Sequence, residues 1–174
     1  VDNFIVKKHA AKFHLKRSRI TVLLLQISTA LFKQKFVRGC DMKIAFMPDT
    51  HFGEYDQQEP PSPEEVADAM DHCIAEARLA EEVGFDGLWV PERHQRPETW
   101  WPNVTSLLAV IAANTKSVQI ASTVIQPTFH HPIHLAESLA AVDNLSRGRF
   151  VFGAGVGYHQ DYFKCFGGVS YTHL

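Results

Sequence analysis

The stretch HPIHLAESLAAVDNLSRGRFVFGAGVGY, residues 131–158, governs the interpretation of the whole chain. Apolar residues recur in its first half at spacings of three and four, which predicts one apolar face of a helix. The residues of this face are Leu135, Leu139, Val142 and Leu145. The run Ser146-Arg147-Gly148 predicts a left-handed end to that helix. Residues 149–153 then predict a short buried strand. Three alternating glycines follow it, where the backbone turns tightly or lies close to another group.

Upstream of this stretch the same alternation of strand and helix is predicted. The strand patterns are KIAFM (43–47), FDGLWV (85–90) and VQIASTVI (118–125). Ser62, Pro63 and Glu65 predict a capping box that opens a first helix ending near Gly84. We expect its inner face to carry Val66, Met70, Ile74, Ala77 and Ala80. A second helix is predicted over residues 103–114, with Leu107, Leu108 and Ile111 inward.

The predicted order is therefore β-α-β-α-β-α-β. Strands that alternate with helices favour a parallel sheet covered by those helices. The fold class is α/β, and four strands in this order fit either an open doubly wound sheet or half of an eight-stranded barrel.

The composition is that of an ordinary globular protein, with 45% hydrophobic and 21% charged residues. A net charge of -2 gives no general attraction to nucleic acid or to anionic membranes, and we expect neither as a partner. The three isolated cysteines form no CxxC pair, which favours a reducing compartment, the cytoplasm. Cys73, within a helical pattern, is expected to be a small buried apolar residue.

Charge divides the chain into unequal parts. Residues 1–41 hold nine Lys and Arg against two acids, whereas the remainder holds eight against seventeen. The apolar run at 20–32 follows basic residues but is shorter than the ~20 residues of a spanning helix. We expect 1–41 to be a leader outside the domain, disordered or an artefact of start-site choice, with a targeting segment as the alternative. The domain then covers 42–168, and 169–174 is a truncated or non-native end.

Polar residues follow each predicted strand, where parallel sheets carry their sites. Together they would supply acid/base groups, hydrogen-bond donors and an aromatic wall, as in a cofactor pocket. A surface ion pair, a loop cap and a core polar pair are the ordinary alternatives for Glu92-Arg93, His94 and Ser122-Thr123 in turn. The residues at the strand ends are His51, Glu92, Arg93, His94, Ser122, Thr123, Gln126, Gly155, Gly157 and Tyr158.

Two other sites are suggested by motif and then disfavoured. The glycines at 153, 155 and 157 follow a strand, but a dinucleotide-binding GxGxxG needs a glycine where Tyr158 stands. His130 and His134 have the i, i+4 spacing of a helical zinc pair, yet Pro132 puts them at a helix start and there is no HExxH. We expect loop and cap roles for these histidines and no metal.

From Met42 to Gly168 the chain resembles the bacterial luciferase-like, flavin-dependent monooxygenases. The resemblance rests on stretches that occur in family order: MKIAFM, LAEEVGFDGLWVPERH, VQIASTVIQPTFHHPIHLAESLAAVDNLSRGRF, FGAGVGY and FKCFG. It covers about three quarters of the chain but only the first third to half of a family member. The resemblance implies a (β/α)8 TIM-barrel-like fold of which about the first four βα units are present.

The resemblance also implies a function. Family members use reduced FMN, supplied by a flavin reductase, or in some branches F420, and act with O2 on a small organic substrate. Matching positions give Glu92 and His94 as catalytic residues. Ser122, Thr123, Gly155, Gly157 and Tyr158 become cofactor-binding residues, with a non-prolyl cis peptide at Ser122-Thr123. Arg93 replaces the histidine tied to catalysis in luciferase proper, which argues against light emission.

Two alternatives to this oxidoreductase remain. One is a non-catalytic flavin-binding relative or an inactive fragment, and the other is a metal-dependent hydrolase using His130 and His134. For the full-length protein we expect a homodimer. For the present chain alone we expect no turnover, and association through its exposed sheet edges.

Overall fold

The computed structural model describes residues 43–51 and 59–167, so the predictions made for 1–41 and 169–174 lie outside the described residues. Strands and helices alternate along the described chain in the predicted order. They are β1 (Ala45–Phe46), α1 (Pro63–Glu82), β2 (Gly87–Val90), α2 (Val104–Asn114), β3 (Gln119–Ser122), a 3-10 turn (Pro127–Phe129), α3 (Pro132–Ser146), β4 (Phe150–Val151) and α4 (Gln160–Phe166).

The strands form one parallel sheet in the order β1-β2-β3-β4. Its register sets Trp89 opposite Ala121 and Ala121 opposite Val151. The predicted parallel α/β fold is therefore confirmed, although the paired segments are shorter than the apolar runs that predicted them. Beyond the regular pairing, Ile125 and Ala154 form one more parallel bridge, so the third and fourth segments stay adjacent past their strands.

The core lies between the sheet and its helices. Leu88, Val90 and Ile120 are fully buried and pack against Leu107, Leu108 and Ile111 of α2, as predicted. Helix α1 begins with the predicted capping box, in which Ser62 and Glu65 exchange hydrogen bonds.

Two predicted helix faces are corrected by the structure. Helix α1 turns its small residues inward, and the larger residues predicted there are only half-buried, because small side chains let the helix approach its neighbours closely. Its buried residues are Ala69, Cys73, Ala77 and Ala80. In α3, Leu145 is 50% exposed while Ser146 is fully buried. Successive helical residues are rotated by about 100°, so Leu145 points away from the face that Leu135, Val142 and Ser146 share.

The end of α3 has the predicted left-handed geometry, with φ of 58° at Arg147 and 78° at Gly148. Strand β4 was expected to be buried, but it lies at the edge of the described sheet, and Val151 is 43% exposed. Cys73 is buried as predicted, and burial raises the pKa of its thiol to about 12. Across the described ranges, no helix combines the length and apolar character needed to cross a bilayer.

Two charged side chains form hydrogen bonds at the amino end of the sheet. The Glu81 carboxylate accepts hydrogen bonds from the backbone N–H groups of Lys116, Ser117 and Val118, at 2.6–3.0 Å. The Arg149 guanidinium donates to the backbone carbonyls of Ala112, Thr115, Val118 and Ser146 and to the Thr115 hydroxyl. Arg149 thereby joins the end of α2 to the start of β3 and the end of α3.

Candidate functional site

The Glu92 carboxylate is the centre of the candidate site. It lies two residues beyond β2, and its side chain is only 1% exposed. Its Oε2 accepts a hydrogen bond from the backbone N–H of Gln126 at 2.5 Å, and its Oε1 lies 2.5 Å from Nε2 of His130. A buried carboxylate needs such partners, because an unpaired charge is costly away from water. Glu92 therefore connects the end of β2 to the segment that follows β3.

His94 stands on the other side of the same carboxylate oxygen. Its Nε2 is 3.1 Å from Oε1 of Glu92, close enough for an ion pair, although the angle does not meet that of a hydrogen bond. The ring contacts Phe166, Tyr162 and Phe129 at centroid distances of 4.7, 5.6 and 6.4 Å. The predicted neighbourhood of Glu92 and His94 is therefore present, with one wall made by α4.

The electrostatics of Glu92 favour its charged form. Burial alone would raise the pKa of this carboxyl group, but the neighbouring His94 imidazole, the Gln126 N–H and the His130 imidazole outweigh that effect and lower the pKa below its ordinary value. Glu92 is therefore ionised at neutral pH and acts as a hydrogen-bond acceptor only.

The lowered pKa predicts an acid-sensitive contribution to folding. Because Glu92 holds its proton less tightly when folded than when unfolded, its stabilising contribution is complete above the ordinary value of 4.5 and is lost as pH falls through the lower, folded value. Urea unfolding from pH 7 to pH 3 should show the stability gap between wild type and E92Q narrowing below about pH 4.5. The matched control is D68N, which changes an exposed carboxylate on α1. Parallel curves for wild type and E92Q across this range would contradict the prediction.

Sequence reasoning did not include His130 in the site. The 3-10 turn Pro127–Phe129 carries the chain from β3 back towards Glu92 and places His130 against it. His134 has a different partner, because its Nδ1 lies 3.8 Å from Glu137, and 80% of its side chain is exposed. The two histidines of the suggested zinc pair thus have different partners, and no group of three or more potential metal ligands occurs among the described residues. The sequence marked His130 only through its i, i+4 spacing with His134, which suggested a metal site and not a contact with Glu92.

A cavity of about 390 Å³ opens beside these groups. It lies where the end of β2 meets the starts of α2 and α3, and α4 closes one side. Its lining combines ionisable, hydroxyl and aromatic side chains, a mixture typical of small-molecule sites. The residues that line it are Glu92, His94, Pro102, Asn103, Val104, Thr105, Phe129, His130, His134, Leu135, Ser138 and Phe166.

The predicted cofactor residues Ser122 and Thr123 differ in what they offer. The Ser122 side chain is buried and its hydroxyl exchanges hydrogen bonds with the backbone of Gly153, at 2.9 Å in both directions. This matches the alternative interpretation, in which Ser122 is a core polar residue whose hydrogen bonds are made within the protein. The Thr123 hydroxyl is buried and has no hydrogen-bond partner in the described part of the chain. The non-prolyl cis peptide joins Thr123 to Val124, one residue later than predicted.

The glycines after β4 are required by close packing. A Cβ on Gly153 would overlap the carbonyl oxygen of Ser122, and a Cβ on Gly155 would lie 2.5 Å from Val124. A Cβ on Gly157, where φ is +84°, would lie 2.5 Å from the side-chain oxygen of Gln126. This confirms that backbone lies close to another group here, while contact of Gly155 and Gly157 with a cofactor remains a prediction. Tyr158, just beyond, is 80% exposed.

The structure places His51, which follows β1, beside Thr99 and Asp49. It forms a bridge with Thr99, and its Nδ1 is 3.8 Å from Asp49. It is not among the residues that line the cavity. Among the described residues, Glu92 and His94 after β2 and His130 after β3 line the cavity, whereas His51 does not.

The fold and the site together define a class: a parallel α/β sheet, covered by helices on one face, with acid/base groups gathered at the carboxyl ends of its strands. The family model for luciferase-like monooxygenases matches residues 42–173. The chain belongs to the luciferase-like monooxygenase family. Its fold is accordingly the (β/α)8-barrel type, of which about the first four units are present.

Individual relatives agree with this assignment. The alkanal monooxygenase alpha chain of Photobacterium phosphoreum is 32% identical over 116 residues, covering 67% of this chain and 32% of the relative. The F420-dependent glucose-6-phosphate dehydrogenase of Amycolatopsis mediterranei is 38% identical over 84 residues, covering 45% of this chain and 25% of the relative.

A solved structure shows the same fold. The oxygenating constituent of 3,6-diketocamphane monooxygenase from Pseudomonas putida, a type II Baeyer–Villiger monooxygenase in complex with FMN, superposes with a TM-score of 0.61. The match has 22% identity and covers 72% of this chain and 33% of that structure. The chain thus spans about a quarter to a third of the length of these three proteins.

Proposed function

We propose that the protein is a flavin-dependent oxidoreductase that oxidises a small organic substrate with O2 and reduced FMN. The observation that carries the proposal is the Glu92 carboxylate with two imidazoles beside it, at the carboxyl ends of β2 and β3, in a chain that belongs to this family. Enzymes with a barrel-type sheet bind and convert their substrates at this edge, where the acid/base groups lie.

The residues present fit a flavin in part. The partnerless Thr123 hydroxyl marks a place where the polar edge of a cofactor would complete the hydrogen bonding. The exposed ring of Tyr158 would cover a flat aromatic group. Ser122 does not fit the role predicted for it, because its hydroxyl is already satisfied by Gly153. We therefore propose Thr123 and Tyr158, and not Ser122, as groups that hold the flavin.

A bound reduced flavin supplies the electrons with which O2 is activated. The chain's own residues supply groups that transfer protons and an aromatic surface that excludes water. Glu92 keeps the His130 imidazole in a fixed orientation. The aromatic side chains of α4 keep water from the His94 side of the cavity. His94 remains a proposed acid/base group, as the family resemblance implies.

FMN is proposed ahead of F420. The structural neighbour from Pseudomonas putida is described in complex with FMN, and the Photobacterium relative is named a monooxygenase. The Amycolatopsis relative is named F420-dependent, which keeps F420 as the alternative cofactor. A flavin reductase partner, a homodimer of the full-length protein and a cytoplasmic location belong to the same proposal.

Cofactor binding is tested by fluorescence titration. We expect saturable binding of FMN by the longest protein that the gene encodes, and weaker or no binding of F420. Y158A should weaken FMN binding about tenfold, which corresponds to the loss of one aromatic contact of roughly 1.4 kcal/mol. The matched control is L145A, because Leu145 is an exposed residue on the outer side of α3.

Three other outcomes decide between the alternatives. Saturable binding of F420 alone would replace FMN by F420 in the proposal. Binding of FMN without any O2-dependent oxidation, when a reductase and candidate substrates are supplied, would favour the non-catalytic relative. Failure to bind either flavin would refute the proposal.

A further inference from the structure

We propose that His130 is a second catalytic residue, which exchanges a proton with the substrate through its Nδ1 while Glu92 holds its Nε2. The inference deepens the proposed function and rests on it. It concerns a side chain that the sequence analysis considered only as a metal ligand and that the family resemblance did not assign to catalysis.

The contact with Glu92 fixes the tautomer of His130. The Glu92 carboxylate is fixed by the backbone N–H of Gln126 at one oxygen and directs the other oxygen at Nε2 of His130, 2.5 Å away. An ionised carboxylate only accepts hydrogen bonds, so Nε2 carries the hydrogen of this contact. A neutral imidazole with its hydrogen on Nε2 has a lone pair on Nδ1.

No described residue binds that lone pair. Nδ1 of His130 has no hydrogen-bond partner among residues 43–51 and 59–167, and His130 lines the cavity. Its side chain is 27% exposed, compared with 14% for His94. The lone pair is therefore left for a molecule bound in the cavity that the His130 side chain lines.

The two histidines beside Glu92 differ in their surroundings. Three aromatic rings surround His94, and its Nε2 is buried without a properly aligned hydrogen bond. His130 has a short hydrogen bond to a buried carboxylate, its side chain lines the cavity, and its second ring nitrogen has no hydrogen-bond partner among the described residues. This carboxylate–imidazole arrangement orients the ring and stabilises the imidazolium that forms on proton uptake. His130 is therefore better placed than His94 to accept a proton.

The proton transfer is balanced without a further reactant. A hydroxyl group of the substrate gives its proton to Nδ1 and becomes the alkoxide, while His130 becomes an imidazolium opposite the negative Glu92. The same proton returns from Nδ1 to a substrate oxygen later in the cycle. The cavity of about 390 Å³ has hydroxyl and amide groups from Thr105, Ser138 and Asn103 beside the rings of Phe129 and Phe166. It suits a small, partly apolar organic molecule with a hydroxyl or carbonyl group.

The tautomer is tested by 15N NMR of the imidazoles at neutral pH. The His130 signals are identified by their loss in H130Q, and we expect hydrogen on Nε2 and none on Nδ1. E92Q should abolish this single-tautomer preference, because an amide can donate as well as accept. The control H131Q removes the neighbouring exposed histidine and should leave the His130 signals in place. A His130 that carries its hydrogen on Nδ1 would overturn the inference, and this wild-type measurement decides even if E92Q does not fold.

The catalytic role is tested in the FMN-loaded protein. H130Q should lower kcat by roughly 10²–10⁴-fold, the usual contribution of a general acid or base, while KM and FMN affinity change little. H131Q should retain wild-type kcat. An H130Q protein that binds FMN and turns over at the wild-type rate would refute the role of His130 alone, whereas absence of FMN binding in the wild type would refute the proposed function.

Discussion

Replacing Gly153 by alanine is expected to destabilise the protein by about 3 kcal/mol or more, the upper end of overpacking effects. The added Cβ would overlap the backbone carbonyl oxygen of Ser122, and backbone cannot move aside as a flexible side chain can. The same substitution disturbs the hydrogen bonds between Gly153 and Ser122 and the one from Ile125 to the Gly153 carbonyl. Urea unfolding followed by circular dichroism measures the effect.

Two other glycines provide graded controls for G153A. At Gly155 the contact of an added Cβ is with the Val124 side chain, which is 39% exposed and can rotate, so G155A should cost less than G153A. At Gly148 an added Cβ meets nothing within 4 Å, but φ is +78°. G148A should therefore cost only the roughly 1–2 kcal/mol of a left-handed non-glycine residue. A G153A protein as stable as G148A would show that the backbone after β4 does not pack on Ser122 as described.

Replacing Arg149 by methionine is the second substitution with a large expected effect, a loss of about 3 kcal/mol or more. Its guanidinium makes five hydrogen bonds that join α2, β3 and α3, and methionine leaves the acceptors without these donors. Chemical unfolding of R149M beside wild type measures the loss.

Lysine at the same position separates charge from geometry. R149K keeps the positive charge but has one ammonium group in place of a planar fork, so it should recover only part of the lost stability. The control is R147M, because Arg147 is exposed two residues away and its loss should change stability by less than about 0.5 kcal/mol. If R149K were as stable as wild type, the charge of Arg149 rather than its hydrogen-bond pattern would be the stabilising feature.

Features encoded by local chemistry were predictable from the sequence. The Ser62–Glu65 capping box, the left-handed end of α3 and the order of strands and helices all follow from residues close together in the chain. Glu92 and His94 were found because parallel strands bring their carboxyl ends to one edge.

Features that depend on distant partners were not predictable in the same way. His130 enters the site because a 3-10 turn returns the chain to Glu92, 38 residues earlier. The role of Ser122 is set by Gly153, 31 residues later, so the hydroxyl that looked available for a cofactor is occupied. Leu145 fits the apolar spacing, yet α3 packs through a narrower face that ends at Ser146.

The Glu81 and Arg149 hydrogen bonds lie at the amino end of the sheet, opposite the edge that carries Glu92 and His130. This separation gives a route for laboratory evolution of the protein. Cavity-lining positions such as Thr105, Ser138 and Phe166 can be randomised to change the shape of the cavity without altering the residues that join the helices to the sheet. A library restricted to these positions should therefore yield mostly folded variants, which differ in the residues that line the cavity.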